Sequence, residues 1–260
     1  MTLSGLLSLV FILIFIGLMI MFAVSGRSRP GVSLRRISAF IKLRRVIGLA
    51  VEAGSRLHIS IGRGGIIGIE SASAFVGLSV LERLAHSAST SDNPPISTAG
   101  DGATGTLAQD TLRGTYQRIG MGEQFDPTSG RVTGLTPFSY AVGTMPLVSD
   151  DKTGANVLMG HFSSEVALIT DAGERSDNLT VAGTDNISAQ AVLYATAHEP
   201  LIGEELYAGG AYLNAGTMHD ASLRTQDILR WVLAIVIILG ILAKFLGFDI
   251  MIEELIGGLL

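Results

Sequence analysis

Two long apolar segments, one near each end, constrain this chain more than anything between them. Leu6–Val24 carries no charged side chain and is interrupted only by Ser8 and Gly17. Nineteen residues at a helical rise of 1.5 Å make about 28 Å, close to the thickness of a hydrocarbon core. The second segment runs from Ile228 to Phe248, and Trp231–Ala243 is free of charge. Arg230 brackets it on one side and Lys244 on the other, where a long stem reaches back to the interface. Trp231, the only tryptophan, stands where an interfacial anchor belongs. Ala23, Ser25 and Gly26 offer small residues of the kind found at signal cleavage sites. A cleaved secretory signal is nevertheless disfavoured. The first charged side chain, Arg27, follows the apolar run, and the run is longer than a signal core.

Charge is partitioned along the chain. Residues 1–45 hold seven cations and no acid: Arg27, Arg29, Arg35, Arg36, Lys42, Arg44 and Arg45. With Trp231 they form the expected membrane-surface set. Residues 46–225 hold nineteen acids against nine cations, and the whole chain carries a net charge of −5. An acidic domain behind a basic collar is a poor nucleic-acid binder, because neutralising phosphates needs a basic face. The collar suits anionic headgroups. Positive residues flanking a span stay on the cytoplasmic side, so the expected topology has two transmembrane helices in the cell membrane, the domain in the cytoplasm and both termini outside. Two glycosylation sequons, at Asn178 and Asn186, carry no weight on such a domain. The stretch from Val32 to Ala50 mixes cations with Leu34, Ile37, Phe40, Ile41, Val46 and Ile47, and reads as an interfacial or linker helix.

The expected layout is a first span over 1–26, a basic linker helix over 27–54, a domain over 55–225, a second span over 226–250 and a tail over 251–260. Within the domain, short apolar strands alternate with helical stripes. Strands are expected near 57–61, 96–98, 131–135, 156–160 and 179–182, with 198–202 as a last strand or a loop. Helices are expected over 70–87, 106–119, 136–145, 163–172, 188–196 and 203–213, with Thr136 capping and Pro146 ending the third. Alternation of this kind indicates a Rossmann-like α/β domain with a mostly parallel sheet.

Gly62-Arg63-Gly64-Gly65-Ile66-Ile67-Gly68 follows the first strand and precedes the first helix of that domain. That is where backbone N–H groups and a helix terminus receive an anion, so Gly62, Arg63, Gly64, Gly65 and Gly68 are the candidate ligand-binding residues. The dinucleotide fingerprint is incomplete. Isoleucine occupies position 67, where its third glycine belongs, and the acids some twenty residues on fall inside a helix, at Glu82. A turn or subunit contact built from glycine is the competing reading.

Other chemistries are excluded or unsupported. Without cysteine there is no disulfide, thiolate ligand or cysteine nucleophile. None of the three lysines, Lys42, Lys152 and Lys244, follows a glycine, so no Walker loop exists. Ser79 lacks the second glycine of a nucleophile elbow. His161 and Glu165 stand four apart, and His198-Glu199 precedes Glu204-Glu205. Those pairs hold ligand types, but Glu204 and Glu205 fit the first turn of a helix better. No catalytic residue, cofactor or metal is assigned.

Several runs resemble those of a known family: Gly203 through Leu213, Phe125-Asp126-Pro127, Asn156 to Phe162, Ala182-Gly183-Thr184 and the closing span. They are similar to an uncharacterised prokaryotic family of membrane-anchored proteins assigned a domain of unknown function. The resemblance implies one α/β domain held by terminal membrane helices and brings no activity with it. With so thin a site inventory, the expected function is a non-enzymatic, membrane-tethered scaffold. Its small-residue surfaces, such as Gly209-Gly210-Ala211, would let it self-associate into a homo-oligomer beside the lipid bilayer. The alternative is an α/β domain binding a nucleotide-like or other anionic small ligand at the glycine turn, as a sensor or an enzyme.

Overall fold

The computed structural model describes residues 3–26, 35–89 and 91–245, which divide into two compact units. Arg27 and Arg29 of the basic collar, and residues 246–260, lie outside the described residues.

One unit holds α1 (Leu3–Gly26) and α9 (Thr217–Phe245). Both are long and apolar enough to cross a membrane, and they lie against each other. The polar beginning of α9, Thr217–Arg230, precedes the uncharged stretch from Trp231.

The other unit, Leu34–Ala215, is an α/β domain. It contains α2 (Ser38–Glu52), β1 (Arg56–Gly62), α3 (Ser71–Ala88), β2 (Ile96–Ala99), α4 (Gly102–Arg118), β3 (Gly130–Val132) and α5 (Pro137–Val148). It continues with β4 (Thr153–His161), α6 (Val166–Arg175), β5 (Leu179–Thr184), α7 (Ile187–Thr196), β6 (Glu199–Leu201) and α8 (Gly209–Tyr212). The six strands are all parallel, in the order β3-β2-β1-β4-β5-β6. This is the doubly wound order in which the direction of winding reverses between β1 and β4.

Alternation along the strands separates two faces. Leu57, Ile59 and Ile61 of β1 join Ala155, Val157 and Met159 of β4 in an apolar core with α2, α3 and α4. The opposite face packs α5, α6 and α7 through Tyr140, Leu158, Phe162, Ile169 and Leu193. Its centre is polar. His58 Nδ1 meets Asn156 Oδ1 and Nε2 meets Thr98 Oγ1, both at 3.0 Å, and Tyr140 shares hydrogen bonds with Ser60 and Thr98. Burial holds the His58 imidazole well below its ordinary range, at about 4, against the opposing pull of Asn156. It is neutral at pH 7.

Three expectations are corrected. The stripe expected to lie in the headgroup plane or form a linker is core: Ile37, Phe40, Leu43, Ile47 and Ala50 are buried against the sheet. Its cations Arg36, Arg44 and Arg45 occupy the outer face, so the helix buries its apolar side in protein. Pro146 does not end α5, which continues to Val148. A proline that close to a helix end forfeits one hydrogen bond and leaves the last turn intact. The span 203–213 is a 3₁₀ turn at Gly203–Glu205 followed by the four-residue α8, because three glycines in that run weaken a continuous helix.

The remaining elements fall near their expected places. Thr136 caps α5 in a capping box with Ser139, and Pro137 occupies its first turn. Helix α4 begins four residues before the expected Thr106, because Asp101 caps it by accepting from the Thr104 N–H at 2.9 Å.

Candidate functional site at the strand crossover

In a parallel sheet every strand-to-helix connection emerges at the carboxyl edge, and ligands bind where the winding reverses. Here that place lies between the ends of β1 and β4, where β1 also loses register with both neighbours, between Ser60 and Gly62. Gly62 occupies the left-handed region, φ +78°, and a Cβ there would stand 2.1 Å from the His161 carbonyl oxygen. Only glycine lets the chain turn this tightly against β4. Gly77, on α3, brings the helix onto the sheet: its Cβ would lie 2.3 Å from the Met159 carbonyl.

His161, the last residue of β4, is the centre of the site. Its Nδ1 faces Asp185 Oδ1 at 2.7 Å, and its Nε2 faces Glu70 Oε1 at 3.4 Å. Asp185 follows β5, and Glu70 stands immediately before α3. Ser73, in the first turn of α3, donates to Asp185 Oδ2 at 2.8 Å. The bond to Asp185 raises the His161 imidazole above its ordinary range, against burial and with help from both carboxylates. Burial pushes the Asp185 carboxyl up, but the bonds from His161 and Ser73 outweigh it and hold the acid below the usual carboxylate range.

Arg63 lies on the other side of the crossover. Its stem rests on Gly100, where a Cβ would meet Arg63 Cγ at 2.3 Å, and its guanidinium approaches Glu165 at 3.8 Å. Glu165 is buried before α6. Its Oε1 accepts from the Ser163 N–H, and its Oε2 has no hydrogen-bond partner. The Gly64 carbonyl accepts from Thr104 Oγ1, joining the turn to α4.

Of the expected ligand-binding residues, Gly62, Arg63 and Gly64 sit against the β4 end or the neighbouring loops, Gly65 has open space where a side chain would go, and Gly68 takes φ +99° in the outer part of the turn. The connection from β1 to α3 is eight residues long, and Glu70, its last residue, makes no side-chain cap. Carboxylates outnumber cations: Glu70, Asp101, Asp185 and Glu165 stand with Arg63 and His161.

The sequence reading missed His161, Asp185 and Asp101 as members of this edge. Asp101 follows β2, where doubly wound folds place the acid that meets a ribose hydroxyl. It escaped because α3 and its following loop put it 33 positions after Gly68 rather than about twenty. Asp185 directly follows Thr184 of β5, and an acid immediately after a buried parallel strand is the signal that finds it.

The histidine and acid pairs noted in the sequence do not make a metal centre. His161 ends a strand and Glu165 precedes a helix, while Glu199 is taken by Lys42 and Ser38. Among the described residues no group of His, Asp and Glu side chains is arranged to hold a metal ion.

A family model described as Domain of unknown function (DUF6754) matches residues 2–255. No curated protein and no solved structure matches the chain.

Proposed function

This chain belongs to the DUF6754 family, and we propose that it is a membrane-tethered protein whose α/β domain binds a small polar ligand at the carboxyl edge of β1 and β4. The observation that carries the reading is the imidazole of His161, set between Asp185 and Glu70 beside a turn that only glycine can make. A polarised imidazole, convergent acids and a tight glycine turn at the crossover make up the usual equipment of a binding cleft. The excess of carboxylates favours a ligand bearing hydroxyl or amine donors over a polyphosphate. The same charges narrow the nucleotide-like class to its nucleoside part. The basic collar supports an orientation with the domain in the cytoplasm and both termini outside.

The test is a melting panel on the detergent-solubilised chain, comparing nucleosides, sugars and small amines with nucleoside polyphosphates. Gly65→Asp places a carboxylate in open space, so it leaves the fold intact while obstructing the turn. The reading expects a stabilising compound whose effect is lost in Gly65→Asp. A shift retained in that variant, or no shift across the panel, refutes it.

Self-association is the second reading; Gly209-Gly210-Ala211, expected to serve it, are buried inside the domain, and its support is instead the outer face of α5. Phe138 and Val142 are one helical turn apart and, with Leu135, are more than half exposed. Native mass measurement showing a monomer would remove it.

A further inference from the structure

The carboxyl edge carries a second feature that ligand binding leaves unused. Among the described residues of the α/β unit, the three most exposed large apolar side chains all sit there: Ile69 at 97%, Ile67 at 89% and Ile187 at 83%. Ile67 and Ile69 belong to the turn after β1, and Ile187 opens α7 after β5. Ile66, in the same turn, is partly exposed as well.

The chain also enters the domain at this edge. Helix α2 ends beside the start of β1, where the Ser55 N–H reaches the Ala50 carbonyl and Arg56 pairs with Asp150. Its beginning is therefore at the opposite, carboxyl edge. There Arg35 pairs with Glu205, just past β6, and Tyr212 donates to the Arg35 carbonyl. Only eight residues separate Arg35 from Gly26, so the two can lie no more than about 30 Å apart.

We infer that the Ile66–Ile69 turn docks this edge on a lipid bilayer, with Ile67 and Ile69 entering the boundary between headgroups and acyl chains. The inference rests on the membrane tether proposed above. A short apolar protrusion suits that boundary. Arg36 is exposed just before α2, and Ile41 is half exposed in the first turn of that helix. Of the acids at this edge, Glu205 is paired with Arg35, Glu70 and Asp185 with His161, and Glu165 with Arg63. Two isoleucines on a glycine-flanked turn offer too little area for a stable protein interface, which buries about 800 Å² on each partner. A fluid phase needs no matching surface. Docked this way, the crossover beside His161 faces the headgroup layer.

The chain has no cysteine and one tryptophan, which allows a clean test on the full chain. Ile67→Cys carries an environment-sensitive fluorophore, and Asp151→Cys carries the same label at the amino edge, just before β4. Both proteins are reconstituted in bilayers of phosphatidylcholine and phosphatidylglycerol containing a spin-labelled lipid quencher. Quenching of Trp231 in the same samples reports the tether independently. The inference expects Trp231 to be quenched and the label at 67 to be quenched about threefold more than the label at 151. It also expects Ile69→Asp to abolish that difference. Quenching of Trp231 with equal quenching at 67 and 151 overturns the docking and leaves the tether standing. Loss of quenching at Trp231 as well overturns both. A label at 67 that is shielded from aqueous quencher yet silent to the lipid quencher shows a second copy covering the turn and overturns the inference.

Discussion

The Nδ1 of His161 faces the Asp185 carboxylate at 2.7 Å, joining the carboxyl ends of two adjacent strands. The pairing has a consequence for stability. A histidine whose folded-state affinity for protons is raised stabilises the fold below its unfolded value of about 6.5, and that stabilisation is lost as pH rises through the raised folded value. We expect His161→Gln to cost about 1 kcal/mol at pH 6 and much less at pH 9. Urea unfolding at the two pH values checks this. An equal cost at both contradicts the charged pairing.

His58 responds in the opposite sense. Its folded value is depressed to about 4, so the unfolded chain binds more protons between pH 6.5 and 4. Stability then falls through that window by up to about 3 kcal/mol. Replacing His58 with Gln flattens that limb while lowering stability at neutral pH by about 1–3 kcal/mol, since Asn156 and Thr98 lose their partner. Melting curves from pH 7 down to 4 on both proteins test the prediction.

Two glycines of one turn separate cleanly. Gly62→Ala forces a Cβ to 2.1 Å from the His161 carbonyl at a positive φ and costs about 3 kcal/mol or more. Gly65→Ala meets nothing closer than 4.0 Å and changes stability by less than about 0.5 kcal/mol. Comparing the two melting temperatures in one detergent decides it.

Helix α2 belongs to the core. Phe40 and Leu43 are fully buried, so truncating either to alanine costs about 2–5 kcal/mol. Arg44→Ala and Arg45→Ala, on the outer face, stay within about 0.5 kcal/mol. Similar small losses at all four positions would return α2 to the role of a linker.

The layers of this fold were readable because local signals agreed. Apolar strands alternated with helical stripes, Thr136 and Pro137 marked a helix start, and Gly62 ended the first strand. The role of α2 was hidden by composition. Its cations suggested a membrane surface, whereas the stripe Phe40–Leu43–Ile47 faces the sheet, and a helix with a basic outer face looks the same in sequence whether lipid or protein covers its apolar side. The site was half legible. The glycine turn declares itself locally, but His161 comes from a strand end and Asp185 and Glu70 from two separate connections, and only the strand order brings them together.

The central claim is that the crossover between β1 and β4 receives a ligand beside His161. It is tested most directly by histidine-selective NMR of the solubilised chain, with the His161→Gln protein identifying the resonance. A compound that raises the melting temperature is predicted to move the His161 ring signals while those of buried His58 stay in place. A compound that stabilises the protein without moving His161 would contradict the account.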